Sequence, residues 1–347
     1  MSFLADDDRI LIMGYGTYQM VGDAYGLFGL PPQRGHDYSL PLDAMKRLVE
    51  VGIRTIQLPC PWMTIEPTYR KRRNWYEQDE LVGRAREAGL NVMLGVYYAP
   101  PRECDPDWYA RFENGMPLLS FSIWNHDAWA YEENFVKAVA KRYCKDDPGV
   151  MMYSCLSFDG ETLMGHAPQW YDKAGLASFE CWVADKEKNL ANAKSSGWLC
   201  ESVLSKFVAW QKVLHKYQEH NDVWTALHPM INPYPTGTQY VRELYKRFAH
   251  DLPESELFWQ LYTYYGHGPD YRKQWREWAK EMNAQLVGGA EYCKGMREYS
   301  VADAKKDGNR LLCGVLHPWQ PDLFMTDEMF DTLAWGVKEL GGEGAAR

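Results

Sequence analysis

Hydrophobic and polar positions follow two patterns that alternate along the chain. Short apolar runs, each ending in polar residues, glycine or proline, predict eight strands: Ile10–Gly16, Arg54–Trp62, Asn91–Tyr98, Val150–Leu156, Asp222–His228, Glu256–Tyr265, Gln285–Glu291 and Arg310–Pro318. Between them, apolar residues at helical spacing predict helices at about Pro41–Val51, Glu77–Ala88, Ala128–Cys144, Val241–His250, Asp270–Met282, Val301–Lys306 and Thr326–Leu340. Apolar strands of this kind are typical of a parallel sheet that is covered by helices.

The alternation of strands and helices favours a single α/β domain, a (β/α)8 TIM barrel that spans residues 1–347. A doubly wound open sheet is the main alternative. Such sheets usually have fewer strands and a phosphate-binding glycine turn, which this sequence lacks. Residues 162–220 contain more helical pattern than one crossover requires, with a break at Lys194–Gly197. We therefore expect an extended helical segment after the fourth strand.

Two of the predicted strands lead directly into carboxylates. Asp159 and Glu161 follow the fourth strand, and Glu291 closes the seventh after a Gly-Gly-Ala run. In a (β/α)8 barrel the active site lies at the C-terminal ends of the strands. The two glutamates should therefore face each other across the mouth of the barrel. This is the geometry that chemistry with two carboxylates needs.

The other residues expected at the strand ends are mainly aromatic or neutral hydrogen-bonding side chains. They are Tyr15, Tyr18, Gln57, Trp62, Tyr98, His228, Asn232, Tyr262, Tyr264, His317 and Trp319. Metal-dependent aldolases and isomerases would need clusters of His and carboxylate ligands instead. Glycosidic bond cleavage fits this set best, because it needs an acid, a nucleophile or base, and groups that hold a sugar. We predict a carbohydrate substrate, no cofactor and no metal.

Composition narrows the choice of partners and compartment. A net charge of −9 argues against nucleic acid, and no apolar run is long enough to cross a membrane. The first residues lack a signal-peptide pattern, so we expect a soluble, cytoplasmic protein, compatible with a homo-oligomer. The eight cysteines are scattered without zinc-type spacing and resemble small buried hydrophobic residues of a reducing compartment.

One basic run stands out against the acidic composition, namely Arg70–Arg73 within Tyr69–Trp75. Four consecutive cations after the second strand form either a solvated loop or a patch for an anionic sugar. Aromatic residues make up 14% of the chain, and their rings suit stacking on sugars as well as core packing. Both interpretations of the basic run stay open at this point.

Several stretches of the chain carry a resemblance to a known family. They are Gln57–Pro67 after the second strand, Ala99–Pro101 and Asp107–Tyr109 after the third, Ala140–Pro148 before the fourth, and Phe179–Leu190 after it. From about Asp43 to Trp319 the chain resembles the large clan of retaining glycoside hydrolases, and most of all the family 42 β-galactosidase-type catalytic domain. The resemblance implies a β-glycosidase that acts on a β-galactoside, and the basic run Arg70–Arg73 keeps an anionic sugar open as the substrate.

The resemblance also implies roles for individual residues. Glu161 would be the acid/base, with Asp159 as the alternative, and Glu291 would be the nucleophile. Tyr264 would hydrogen-bond the nucleophile, whereas Trp319 would be either the floor of a sugar subsite or a packed aromatic residue. His228 and His317 are either substrate contacts or structural histidines.

The sequence departs from the family pattern at three points. Asp159 and Gly160 precede Glu161 where the family usually has asparagine, Gln57 stands where an arginine is common, and a zinc-binding cysteine cluster is not matched. These departures keep a second function class open, a barrel that binds carbohydrate without catalysis. A sugar isomerase is a third interpretation.

Overall fold

The structure of the chain, a computed structural model, describes residues 9–13, 41–97, 100–154, 171–184, 198, 201–202, 205, 216–217, 224–227, 250, 256–262, 273, 277, 285–290, 301–307, 310–314 and 326–341. Its strands are β1 (Ile10–Met13), β2 (Thr55–Pro61), β3 (Asn91–Tyr97), β4 (Tyr109–Arg111), β5 (Pro117–Phe121), β6 (Val150–Ser154), β7 (Trp224–Leu227), β8 (Glu256–Tyr262), β9 (Gln285–Ala290) and β10 (Arg310–Gly314). Its helices are α1 (Leu42–Glu50), α2 (Trp62–Ile65), α3 (Tyr76–Glu87), α4 (His126–Tyr143), α5 (Lys173–Ala184), α6 (Val301–Asp307) and α7 (Asp327–Glu339).

Eight of these strands form one sheet in which every hydrogen-bonded pair is parallel. Their order across the sheet is β6-β3-β2-β1-β10-β9-β8-β7. This is the order of strands around a (β/α)8 barrel that is opened between its fourth and fifth strands. In the described part of the chain no hydrogen bond joins β6 to β7, although Cα atoms of these two strands come within 8 Å of each other. The predicted strands and their parallel direction are confirmed.

One face of the sheet packs against the helices. Alternate residues of β2, namely Ile56, Leu58 and Cys60, are fully buried in a core shared with α1, α3 and α4. Side chains alternate between the two faces of a strand. Thr55 and Gln57 therefore lie on the opposite face, away from the helix layer.

That opposite face carries a row of three side chains, Gln57, Met93 and Met151, which the parallel register aligns across neighbouring strands. Gln57, Met93 and Met151 are buried, but none of them belongs to the hydrophobic cluster formed with the helices. Such a row is what the interior layer of a barrel looks like.

α4 is the longest described helix and packs against β6, whereas α3 packs against β2 and β3. Asn125 caps its N-terminus, because the side chain accepts hydrogen bonds from the backbone N–H groups of Asp127 and Ala128. One face of the helix is buried, including Phe135 and Val139, and this stripe follows helical spacing. The helix therefore enters the structure at the C-terminal edge of the sheet and returns the chain to β6.

Two local features differ from the sequence prediction. The second strand ends at Pro61, and Trp62 begins the short helix α2 instead of ending the strand. The segment between β3 and α4, for which neither a strand nor a helix was predicted, contains the antiparallel hairpin β4–β5. Its turn is closed by a hydrogen bond from the Gly115 N–H to the Phe112 carbonyl (2.9 Å), and Gly115 has a φ of 79°. A positive φ favours glycine. Hairpin loops of this kind often have a residue in the left-handed region after the turn.

Further outcomes concern the extended segment, membrane spans and cysteines. α5 lies within the predicted helical segment 162–220, most of which is outside the described residues. None of the described helices combines the length and apolar character that a membrane span needs.

Cys60, Cys104 and Cys144 are buried free thiols, while Cys181 is exposed. Burial raises the pKa of Cys104 to about 12 and also raises the pKa of Cys60 and of Cys144.

A single arginine connects α3 to the start of β6. The Arg86 guanidinium donates two hydrogen bonds to the Asp147 carboxylate (2.9 and 3.0 Å) and one to the Leu90 carbonyl (2.8 Å). Gly149 lies directly against this group, since a Cβ atom there would be 2.1 Å from the guanidinium carbon. The residue before β6 therefore has to be glycine while Arg86 keeps its position.

We predict that Gly149→Ala lowers the free energy of unfolding by about 1–3 kcal/mol, because the new methyl group displaces the Arg86 guanidinium from its partners. Gly83→Ala is the matched control. Gly83 lies in α3, and a Cβ atom added there would have no neighbouring atom within 4 Å, so we expect a gain of about 0.5–1 kcal/mol from the better helix former. Denaturant unfolding measures both. A Gly149→Ala variant as stable as the wild type would show that the Arg86 connection contributes nothing.

Candidate functional site

Three of the residues expected at the strand ends, Gln57, Trp62 and Tyr262, are among those that the structure describes, and Tyr262 is the last residue of β8. The others lie outside the described residues: Tyr15, Tyr18, Tyr98, Asp159, Glu161, His228, Asn232, Tyr264, Glu291, His317 and Trp319. What the structure adds for these is the position of the strands that precede them in the chain.

The strands before the two glutamates end at the same edge of the sheet. Glu291 directly follows the last residue of β9, and Glu161 comes shortly after β6. All eight strands are parallel, so their C-terminal ends lie on one side. That side is where barrel enzymes carry their catalytic residues.

Gln57 lies inside β2 and not at its end. Leu58 to Pro61 follow it within the strand, and the residue is only 5% exposed. This corrects the expectation that Gln57 stands at the C-terminal end of the second strand. Its amide belongs to the row of side chains on the sheet face opposite the helices, and a contact with substrate stays a prediction.

Trp62 was expected to contact substrate, and the structure buries it. The residue is 1% exposed. Its ring stacks on Phe135 of α4 at a centroid distance of 5.0 Å and meets Phe121 edge-on at 5.6 Å. These contacts leave no face of the indole open to a sugar. Trp62 is therefore a packing residue on the helix side of the sheet.

A buried carboxylate that the sequence analysis did not single out lies beside Trp62. Glu66 is 2% exposed and accepts three hydrogen bonds, from Arg73 Nε (2.8 Å), Tyr131 Oη (2.5 Å) and Trp62 Nε1 (3.4 Å). Arg73 also donates to Asn134 Oδ1 (2.8 Å). A buried charge is tolerated only when it is paired and hydrogen-bonded. The Glu66 cluster, meaning Glu66 with Trp62, Arg73 and Tyr131, meets this condition.

The protonation of Tyr131 supports the same arrangement. Burial raises the pKa of Tyr131 most, and the Arg70 backbone N–H that donates to its oxygen lowers it in part. The neighbouring Glu66 carboxylate raises the pKa of Tyr131 again. The phenol therefore stays protonated over the whole neutral pH range and donates a hydrogen bond to Glu66.

Above this cluster the surface opens into a cleft of about 790 Å³. Its aromatic and cationic lining consists of Tyr69, Arg70, Lys71, Arg73, Trp108 and Tyr131. Two carboxylates also contribute, the buried Glu66 and the exposed Asp127 near the start of α4. We refer to this space as the α4 cleft.

The four cations of the basic run differ in their surroundings, so neither of the two interpretations holds for all of them. Arg73 is mostly buried and committed to Glu66, whereas Arg70, Lys71 and Arg72 are exposed. The Arg70 guanidinium lies 4.9 Å above the centre of the Tyr69 ring, a cation–π distance. Arg70 and Lys71 line the α4 cleft. Among the described residues, no group of three or more His, Cys, Asp or Glu side chains is placed to hold a metal ion.

We predict that Tyr131→Phe lowers the free energy of unfolding by about 1–3 kcal/mol at pH 7, because the Glu66 carboxylate loses a donor. The pKa of Tyr131 is raised in the folded protein, so its stabilising effect is complete below about pH 10 and is lost as the pH rises toward the folded pKa. The difference between wild type and variant should therefore shrink above about pH 10.

Denaturant unfolding at a series of pH values measures this difference. Tyr76→Phe is the control. Tyr76 is 69% exposed, so this change should leave the free energy of unfolding unaltered at every pH of the series. A difference between wild type and Tyr131→Phe that stayed constant up to pH 11 would contradict the assigned hydrogen bond.

Comparison with known proteins places the fold. No protein-family model matches the chain, and no curated protein matches it in sequence. The catalytic domain of beta-amylase from Paenibacillus polymyxa superposes with a TM-score of 0.68 at 12% identity, covering 95% of this chain and 98% of that one. The beta-galactosidase from the psychrophilic Marinomonas ef1 gives 0.65 at 14% identity, covering 95% and 59%. A trimodular GH5_4 subfamily endoglucanase gives 0.58 at 11% identity, covering 96% and 61%.

The chain spans about three fifths of the length of the second and third of these proteins. At such identities the similarity is one of fold. The three neighbours are TIM-barrel proteins, and the eight parallel strands described above lie in barrel order. The chain therefore shares the α/β fold of this group.

Proposed function

We propose that this chain is a glycoside hydrolase that cleaves a β-glycosidic bond by a retaining double displacement. The observation that carries the proposal is the sheet itself. Its parallel strands β6 and β9 end at one edge, and the chain beyond those ends supplies Glu161 and Glu291. Strand ends of this kind carry the catalytic residues of barrel enzymes.

The fold supports the same class. Beta-amylase, beta-galactosidase and endoglucanase are all glycoside hydrolases. Because fold alone does not determine activity, the proposal depends on the two carboxylates. The family resemblance points to a β-galactoside as the first substrate to test. Tyr98, His228, Asn232, Tyr264, His317 and Trp319 follow or lie near the ends of β3, β7, β8 and β10 in the chain and are proposed to hold the sugar.

The proposed reaction has two steps. In the first, the Glu291 carboxylate attacks the anomeric carbon while Glu161 gives its proton to the leaving glycosidic oxygen, which departs as the alcohol. In the second, Glu161 takes a proton from water, and the water oxygen displaces Glu291 from the anomeric carbon. Two carboxyl groups held close favour a state in which one is protonated and the other is charged. Such a pair needs no further proton donor.

We predict that Glu161→Gln and Glu291→Gln each lower kcat on chromogenic β-glycosides by about 100-fold or more, because each removes a group that takes part in bond making or proton transfer. A panel of β-glycosides identifies the sugar. Glu113→Gln is the matched control, since Glu113 is an exposed carboxylate in the β4–β5 turn and its loss should leave kcat unchanged.

A second measurement tests the roles within the pair. A 2-fluoro glycoside should trap the intermediate on Glu291, and the product should keep the anomeric configuration of the substrate when followed by NMR. An inverted product, or a label on Asp159, would contradict the assigned roles. Saccharide binding without turnover of any glycoside would instead favour a carbohydrate-binding barrel. Isomerisation of a free sugar that is abolished by a chelator would favour a sugar isomerase.

A further inference from the structure

The α4 cleft lies between the segment that follows α2 and the first turns of α4. Its wall residue Glu66 is hydrogen-bonded to Trp62, and Trp62 stacks on Phe135 of α4. Gln57 projects from the opposite face of β2, where the barrel interior would be. The residues that line the α4 cleft belong to the loops after β2 and β3 and to the start of α4, and none of them lies in a described strand.

The charges in the cleft favour an anion, although the chain as a whole carries −9. Arg73 is neutralised by Glu66 at 2.8 Å. Arg70 and Lys71 are exposed in the cleft, and Asp127 is the carboxylate that remains there. The balance of these three groups is positive, which is the reverse of the overall charge.

The backbone conformation at Arg70 does not require an arginine side chain. The Lys71 N–H donates to the Thr68 carbonyl (3.1 Å), which closes a turn whose third residue, Arg70, has a φ of 54°. Glycine or asparagine is usual at such a position, and arginine is disfavoured. The Arg70 N–H also donates to Tyr131 Oη (3.1 Å), and the turn is held to Arg102 by Tyr69 N–H (2.8 Å). The guanidinium is thus presented from a fixed backbone.

Two aromatic side chains complete the cleft. The rings of Tyr69 and Trp108 meet edge to face at 5.3 Å with an interplanar angle of 87°, and both residues are only partly buried. Aromatic rings of this kind pack against the apolar faces of sugars. The volume of about 790 Å³ lies within the range of about 300–1,000 Å³ that is common for small-ligand sites.

We propose that the α4 cleft binds an acidic saccharide, a sugar chain that carries carboxylate or sulfate groups. Arg70 and Lys71 bind the anionic group, and Tyr69 and Trp108 pack against the sugar rings. The site holds its ligand independently of bond cleavage at the proposed catalytic edge. A glycoside hydrolase with such a site would be held on an acidic polymer while the proposed catalytic pair acts.

The proposal is tested by calorimetric titration of the full chain with four probes. They are a uronic acid trisaccharide, a sulfated trisaccharide, a neutral trisaccharide and inorganic sulfate. We expect at least one acidic trisaccharide to bind about tenfold or more tightly than the neutral one, since a charged hydrogen bond is lost in the latter. Raising the salt from about 0.1 M to about 1 M shortens the screening length from about 10 Å to about 3 Å. The affinity for the acidic trisaccharide should therefore fall, while the affinity for the neutral one stays the same.

Single variants distinguish the cleft from the basic run as a whole. Arg70→Gly and Lys71→Gln should each weaken the acidic trisaccharide about 10- to 100-fold. Arg72→Gln is the control, because Arg72 carries the same charge in the same loop but does not line the cleft. Asp127→Asn should strengthen binding about two- to fivefold by removing a repulsive charge. Arg70→Gly should also keep or raise the melting temperature, because glycine suits the φ of this position.

Three results would overturn the proposal. They are the absence of binding by both acidic trisaccharides, equal loss of affinity in Arg72→Gln and Arg70→Gly, and inorganic sulfate binding as tightly as the saccharides. Binding is measured directly, so a chain that proves inactive on every glycoside leaves this test intact. Conversely, Arg70→Gly should leave the turnover of neutral chromogenic glycosides unchanged, so the two proposals can fail separately.

Discussion

Every strand of the eight-stranded sheet runs in the same direction, and most other features of the molecule follow from this constraint. Parallel neighbours cannot be joined by a tight turn, so the chain returns through helical crossovers that cover one face of the sheet. That cover explains why β2 and β3 are buried along nearly their whole length. It also brings residues that are distant in sequence to one edge. The pairing proposed for Glu161 and Glu291 is possible only because β6 and β9 end on the same side.

The Glu66 cluster determines how one part of that edge is built. Leaving a buried carboxylate without partners costs several kcal/mol, so this region is stable only when Arg73 and Tyr131 approach Glu66 together. Their approach connects the segment after α2 to the first turns of α4. The same contacts place Arg70 and Tyr69 at the wall of the α4 cleft. A packing requirement on one side of the cluster thus shapes, on the other side, the surface that is proposed to bind an acidic saccharide.

The sequence predicted the first residues of the eight sheet strands, and both ends of most described helices, to within two residues, because burial against helices leaves an apolar run that periodicity detects. The β4–β5 hairpin was missed, since β4 is only three residues long and is followed by an exposed turn. Asn114-Gly115 was the available signal, as this pair favours tight hairpin turns.

Other features could not be recognised from local sequence. The packing of Trp62 and the pairing of Glu66 depend on Phe135 and Tyr131, which are far along the chain in α4. A tryptophan after a strand looks the same whether it meets a sugar or a helix. Gln57 was placed at the end of its strand because the polar face of β2 begins inside the strand and not after it. The parallel register, and not the local pattern, decides which of these side chains face the barrel interior.

The central claim is that Glu161 and Glu291 form one catalytic pair at the C-terminal edge of the sheet. The distance between their carboxyl groups in an experimental structure of the chain tests it most directly. The account predicts both groups at that edge, about 5–5.5 Å apart, as double displacement requires. A separation of about 6.5–9.5 Å would indicate inversion instead. Either glutamate on an outer helix or at the opposite edge would contradict the account altogether.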